Sequence, residues 1–249
     1  MKSHIIIPAR LHSTRLPEKL LLSATGKPLI QHTYEAAQRA QHPMGIIVAT
    51  DHERIVAAVE AFDGNVMLTN PAAASGTDRV AEVAEQLSDV DIIVNVQGDE
   101  PEILGSSIDL VIELLQNNPA AVMATLATPI HNKSQLEDPA CVKVVFNQSQ
   151  QAMYFSRSVI PHPRTWDKSL LDKESELFFQ HVGLYAYRRE FLLQLAKLPQ
   201  TRMETAESLE QLRVLDHGYT ILVGVVDEPS FGIDTKDDYH AFERKMNNR

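Results

Sequence analysis

Four short apolar runs, separated by stretches of helical periodicity, constrain this chain more than any other feature. His4–Ile7 is halted by Pro8, Gly45–Ala49 follows a helical stretch at Leu29–Arg39, Val66–Leu68 follows one at His52–Phe62, and Ile92–Val96 follows one at Asp78–Gln86. In the first helical stretch Leu29, Thr33, Ala36 and Ala37 share a small or apolar face, and in the second Ile55, Val56 and Val59 do. Continuous apolar runs alternating with helices are strands buried on both faces. The expected fold is therefore α/β, with a mostly parallel central sheet flanked by helices and joined by right-handed crossovers.

Beyond residue 100 the pattern changes to a smaller mixed insertion. Ser107–Leu115 reads as a helix and Val122–Pro129 as a strand, while Lys143–Phe146 and Ala152–Phe155 flank Asn147-Gln148-Ser149-Gln150 as a hairpin. His162–Glu176 is polar and proline-punctuated, so it is expected to be an exposed excursion. His181–Tyr187 is a strand, Phe191–Leu198 and Ala206–His217 are helices, Ile221–Val226 is a late strand, and Thr235 caps a closing helix to Met246.

Net charge excludes some functions and leaves others open. A formal charge of −10, from 33 acids against 23 Lys and Arg, argues against a non-specific nucleic-acid or acidic-membrane surface but permits a local basic pocket. No apolar stretch approaches the roughly 20 residues of a membrane helix, and the N-terminus lacks a signal-peptide pattern; the expected compartment is the cytoplasm. Cys141, the single cysteine, reads as a buried structural thiol.

In open α/β sheets, ligands lie beyond the C-terminal strand ends, where four polar loops fall: 8–19, 69–79, 97–102 and 227–235. The first, Pro8-Ala9-Arg10-Leu11-His12-Ser13-Thr14-Arg15-Leu16-Pro17-Glu18-Lys19, places three fixed positive charges after a buried strand. Backbone amides and guanidinium groups there can hold a triphosphate, and Lys19 can meet charge developing on a transferred phosphoryl group. A merely solvated basic loop fits its proline and hydroxyl residues poorly. It is neither the phosphate loop of ATPases nor a dinucleotide fingerprint.

Gln97-Gly98-Asp99-Glu100-Pro101 follows a strand directly, so Asp99 is the first candidate ligand for Mg²⁺, with phosphate and water completing its shell. Glu100 is assigned to loop support before direct ligation. Asp234, in Gly232-Ile233-Asp234-Thr235, either caps the final helix or converges with Asp99 on one ion. Ser75 and Gly76, in Ser75-Gly76-Thr77-Asp78-Arg79, suit base recognition, helix capping, or both. Gln97 can bind a sugar hydroxyl or carboxylate. Arg157, His181, Tyr185, Glu210 and Gln211 form a dispersed set suited to a polyhydroxylated acid, although His181 also suits structural hydrogen bonding.

The segments IIIPARLHSTRLPEKLL, GKPLI, VATDHERI, ASGTDRVAEV, IIVNVQGDEP, CVKVV, YFSRSVIP, HVGLYAYR, SLEQLR and GIDTKDD, in this order, closely resemble the 3-deoxy-manno-octulosonate (Kdo) cytidylyltransferases over nearly the whole chain. The resemblance implies a nucleotide-diphospho-sugar-transferase-like fold, a single domain over 1–249 with a dimerisation and sugar-site excursion around 130–190, and a homodimer. It also implies transfer of CMP from CTP to Kdo, releasing pyrophosphate, in lipopolysaccharide precursor synthesis. Carried onto this chain, Pro8, Ala9, Arg10, Ser13, Arg15 and Lys19 resemble the nucleotide loop, and Ser75 with its neighbours the cytosine contacts. Asp99 and Asp234 resemble the Mg²⁺ ligands, and Gln97, Arg157, His181, Tyr185, Glu210 and Gln211 the sugar site. Arg15, Lys19, Asp99 and Asp234 are thus the expected catalytic set.

Three departures from the family pattern bear on the acceptor. Thr69-Asn70-Pro71-Ala72-Ala73-Ala74 stands where a charged, imidazole-containing segment is usual, Leu20 where proline is commoner, and Glu102 where the family is usually apolar. Glu102 is an additional candidate sugar contact, because its carboxylate can receive the ammonium of 8-amino-3,8-dideoxy-manno-octulosonate; transfer to that sugar is the alternative reaction. A non-catalytic sugar-nucleotide binding protein is the alternative of a different class, disfavoured by the intact Arg15, Lys19, Asp99 and Asp234.

Overall fold

The computed structural model describes residues 1–73, 75–228 and 230–248, so Ala74 of the alanine-rich segment lies outside the described residues. In chain order the elements are β1 (Ser3–Ala9), α1 (Leu29–Ala37), β2 (Pro43–Thr50), α2 (Glu53–Glu60), β3 (Val66–Leu68), α3 (Gly76–Gln86), β4 (Ile92–Asn95) and α4 (Gly105–Asn117). There follow β5 (Met123–Pro129), α5 (Lys133–Glu137), β6 (Lys143–Phe146), β7 (Ala152–Ser156), β8 (Phe179–Arg188), α6 (Arg189–Leu195), α7 (Arg202–Glu207), α8 (Gln211–Asp216), β9 (Ile221–Val225) and α9 (Lys236–Asn247). Two compact units result, one of Met1–Asp109 with Ser230–Arg249 and one of Leu110–Pro229.

The first unit carries the four expected strands in the order β3-β2-β1-β4, all parallel. β1 is central: Ile5, Ile6 and Ile7 pair with Ile46, Ile47 and Val48 on one side, and Ile5 and Ile6 with Val94 and Asn95 on the other. All three isoleucines are fully buried, each contributing about 2 kcal/mol of hydrophobic stabilisation. Because the strands run together, the loops after β1, β2, β3 and β4 leave from one edge of the sheet. The closing helix α9 returns the chain to this unit. Phe242 packs edge-on against His32 of α1 at 5.1 Å, and the hydroxyl of Tyr239 accepts from the amide of Ala24 at 2.8 Å.

The second unit is mixed, as expected of the insertion. β5 is antiparallel to β8 and parallel to β9, while β6 is antiparallel to both β7 and β8. A small core of Ile130, Leu136, Cys141 and Phe178 packs against Val159, Leu170, Leu171 and Leu177. Cys141 is buried as expected, and burial raises its thiol pKa above the usual value. The excursion at 162–176 is mostly exposed, yet it folds a short 3-10 turn at Lys168–Leu171 whose leucines join that core.

Local chemistry moves two helix boundaries away from the sequence reading. The single helix expected over Ala206–His217 is two. Thr201 and Glu204 form a reciprocal capping box that starts α7 at Arg202, and Ser208 adopts a left-handed conformation (φ 52°) that ends it. Helix α3 starts at Gly76 rather than Asp78, because Ser75 and Asp78 form a capping box of their own.

Gly105 opens α4 in close contact with the end of α1. A Cβ there would lie 2.6 Å from the carbonyl carbon of Arg39 and 2.7 Å from the amide nitrogen of Ala40. Backbone cannot yield as a flexible side chain does, so Gly105→Ala is expected to destabilise the protein by about 1–3 kcal/mol. Chemical denaturation of purified variant and parent checks this, and equal midpoints would refute the close-contact argument.

Candidate active site

The basic loop is anchored directly after Arg10 and again before Lys19. After Ala9 the chain buries Leu11, whose amide donates to Asp51 Oδ1 at 3.2 Å just past β2. Asp51 also accepts from the buried Arg79 at 3.1 Å, so one carboxylate ties the basic loop to α3. Glu18 then takes a left-handed conformation (φ 52°) and is gripped by both terminal nitrogens of Arg54 at 2.5 and 2.7 Å. That guanidinium holds the Glu18 carboxyl below the usual carboxylate range. The turn projects Lys19 from a 3-10 turn at Lys19–Leu21.

The Lys19 ammonium binds the two predicted aspartates together. It donates to Asp99 Oδ2, to Asp234 Oδ1 at 3.0 Å and to the carbonyl of Ile233 at 3.0 Å. Arg15 reaches Asp234 Oδ1 at 2.9 Å. Asp99 is placed by its own main chain, whose carbonyl accepts from Ile233 N at 2.9 Å. Thr33 Oγ1 donates to the Gly98 carbonyl at 2.8 Å. A Cβ at Gly98 would approach the Pro8 carbonyl oxygen to 3.0 Å, so glycine lets the loops after β1 and β4 meet. For Asp234 the competing cap role is filled elsewhere: Thr235 and Asp238 form the capping box of α9, leaving the Asp234 carboxylate to Lys19 and Arg15.

Among the described residues no group of three or more His, Cys, Asp and Glu side chains is arranged to hold a metal. The donor chemistry of Asp99 and Asp234 nevertheless fits Mg²⁺: two carboxylates converge on one cationic centre, here an ammonium, and phosphate and water ordinarily complete this ion's shell. Glu100 is separate from that pair. It is buried and accepts from the Ser230 hydroxyl. Burial pushes its carboxyl up to about 7, with the Ser230 hydrogen bond opposing and the Asp99 charge adding. This is the loop-supporting placement expected of Glu100.

The other nucleotide candidates lie beside this loop or at its exposed face. Arg10 is exposed and Ser13 half-buried. Ser75 has its hydroxyl committed to the α3 cap, while Gly76 is exposed with only Pro8 side-chain atoms near its missing Cβ, at 3.8 and 3.9 Å. Gln97 is half-buried, its carbonyl accepting from Glu100 N at 3.2 Å. Glu102 is paired with Lys245 of α9 at 2.6 Å.

In the second unit, His181 is 9% exposed, with Nε2 3.0 Å from Thr125 Oγ1 and its ring against Phe155 and Tyr185 at 5.0 and 5.4 Å. Gln211 is buried and its Nε2 has no hydrogen-bond partner, whereas the neighbouring Glu210 is exposed. The Arg157 guanidinium donates to the carbonyls of Glu207, Pro139 and Ser208 at 2.7, 3.1 and 3.5 Å. An orphaned buried amide such as that of Gln211 suits a polar ligand.

A family model described as cytidylyltransferase matches residues 4–221. The 3-deoxy-manno-octulosonate cytidylyltransferase of Rhodopirellula baltica is 49% identical over 99% of both chains. The chain belongs to that family. The 8-amino-3,8-dideoxy-manno-octulosonate cytidylyltransferase of Shewanella baltica is 44% identical, again over 99% of both chains. A solved CMP:2-keto-3-deoxy-manno-octonic acid synthetase complexed with CTP superposes with a TM-score of 0.92 at 40% identity, covering 100% of this cytidylyltransferase and 99% of that chain.

One residue of this cytidylyltransferase that anchors the site escaped the sequence reading: Asp51 carried the signal of an acid directly after a strand, the same signal that singled out Asp99.

Burial alone holds the His181 pKa down at about 3, against an ordinary 6.5. Its neutral form is therefore the folded one. Stability from this group is complete above pH 6.5 and is lost as pH falls toward 3, because the unfolded chain takes up a proton that the folded chain refuses. The loss is up to about 1.4 kcal/mol per pH unit inside that window. Thermal melts across the window should show His181→Gln with a shallower acid-side decline than the parent, and parallel curves would contradict the assignment.

Proposed function

We propose that this cytidylyltransferase transfers CMP from CTP to the anomeric hydroxyl of Kdo, releasing pyrophosphate, for lipopolysaccharide precursor synthesis. The observation that carries the reading is the convergence of Arg15, Lys19, Asp99 and Asp234 at one sheet edge, in a chain 49% identical along its length to a protein named for this activity. The hydroxyl oxygen attacks the α-phosphorus as its proton passes to solvent, a new O–P bond forms, and the bond to pyrophosphate breaks. Lys19 and Arg15 turn from their carboxylates toward the triphosphate, offsetting its charge and holding it in line with the attacking oxygen. Pro8, Ala9, Arg10 and Ser13 line the triphosphate loop, and Ser75 and Gly76 offer main-chain groups to cytosine. Gln97, Arg157, His181, Tyr185, Glu210 and Gln211 take the acceptor. Asp99 and Asp234 hold Mg²⁺, which when bound supplies neutralisation of phosphate charge.

The 8-amino sugar is the alternative acceptor, on the strength of the 44% identical relative named for it. Glu102, the candidate to receive the ammonium, would have to exchange its ion pair with Lys245 for it. We further propose the assembly and compartment that the family resemblance implies, a cytoplasmic homodimer. No helix among the described residues is long and apolar enough to cross a membrane.

Pyrophosphate release is the decisive measurement, with CTP, Mg²⁺ and either Kdo or its 8-amino analogue, and product mass determined. Kdo should turn over with the higher kcat/KM; a higher value for the amino sugar would reverse the acceptor assignment, and no turnover of either would remove the reaction. Lys19→Met and Asp99→Asn are each expected to lower kcat by about a hundredfold or more, as loss of a group acting on the transition state does.

A further inference from the structure

Among the described residues Lys143 is the fully buried charged side chain, and the proposed reaction leaves it without a task. It belongs to the CVKVV segment, in which no other residue can carry charge on a nitrogen. Its ammonium donates to three main-chain carbonyls: Cys141 at 2.6 Å, Arg157 at 2.7 Å and Asp138 at 2.9 Å. An ammonium has three N–H donors, and all three are used. Among the described residues no carboxylate lies within ion-pair distance of it. Burial draws its pKa below the ordinary lysine value. A buried charge is costly unless fully hydrogen-bonded, and an apolar side chain of similar length would fill the same volume. The lysine is explained by the carbonyls, which come from two segments, the 138–141 turn and the exit of β7.

What those carbonyls hold is the surrounding of Arg157. The same turn meets the Arg157 guanidinium through Pro139 O. Glu207 accepts from Ser156 Oγ at 2.6 Å and from Arg157 N at 2.9 Å, while its own carbonyl and that of Ser208 accept from the guanidinium. Ser208, left-handed, is the corner from which Glu210 and Gln211 follow. Directly before Lys143, the Val142 carbonyl accepts from His181 N at 2.8 Å.

We propose that Lys143 is a positioning residue for acceptor binding: its ammonium fixes the main chain at Arg157 and, through it, the corner that carries Glu210 and Gln211. This rests on the reading that Arg157 and Gln211 meet the acceptor sugar.

Steady-state kinetics of full-length Lys143→Met, Arg157→Gln and Glu207→Gln, varying Kdo at saturating CTP and then CTP at saturating Kdo, test it. Lys143→Met should raise KM for Kdo about tenfold and leave KM for CTP within about twofold, the signature of a displaced acceptor contact rather than general loosening. A uniform fall in kcat, or equal rises in both KM values, overturns the proposal. If Arg157→Gln leaves KM for Kdo unchanged, the acceptor assignment itself fails; if it raises that KM and Lys143→Met does not, only the role of Lys143 falls. Should Lys143→Met not fold, Glu207→Gln keeps the ammonium but weakens the grip on Ser156 and Arg157. It must then show the same split, about threefold, and its absence overturns the proposal.

Discussion

The parallel pairing of β1 between β2 and β4 is the constraint on which the rest of the nucleotide side depends. Because these strands run the same way, Arg10–Lys19, Asp51 and Gln97–Asp99 all emerge at one edge, although they are far apart in the chain. Asp234 is brought to that edge by a different force. The apolar face of α9 buries Tyr239 and Phe242, and the Thr235–Asp238 capping box sets where that helix begins. Hydrophobic docking thus places the last carboxylate, and a hydrogen-bonded cap frees it for the Lys19 ammonium.

The resulting cluster is balanced in charge: Lys19 and Arg15 face Asp99 and Asp234. Each carboxylate is thus matched by a cation, which limits the cost of gathering four charges at one edge of the sheet. Glu100, one residue from Asp99, has the opposite design. It is buried away from the cations and supported by a hydroxyl, and its carboxyl sits near neutrality. Adjacent acids in one loop therefore serve two purposes, and the difference lies in what surrounds each.

The strands, most helices and the identity of the central cluster were legible in the sequence, because period, strand-end position and residue type are local properties. The misread helix boundary, and the placements that residue type left open, have causes that only geometry reveals. The Ala206–His217 segment is uniformly helical in pattern, yet Ser208 turns left-handed where the Arg157 guanidinium collects the carbonyls of Glu207 and Ser208. Ser75 reads equally as a base contact or a cap, and its hydroxyl is found in the cap. Glu102 reads as a candidate partner for an ammonium, and the ammonium it pairs with in the fold is that of Lys245, more than a hundred residues downstream.

From residues alone came the α/β class, the basic loop after β1, and Asp99 as an acid directly after a strand, with Asp234 open between a helix cap and a partner for Asp99; these follow from hydrophobic periodicity and charge placed at strand ends. Tertiary structure alone decided which charges face which. The Lys19 bridge, the Asp51 anchor and the Lys143 carbonyl cage each join segments distant in sequence, and the energy that selects them comes from burial and mutual hydrogen bonding. Those quantities do not exist until the chain has folded, which is why no pattern along the sequence announces them.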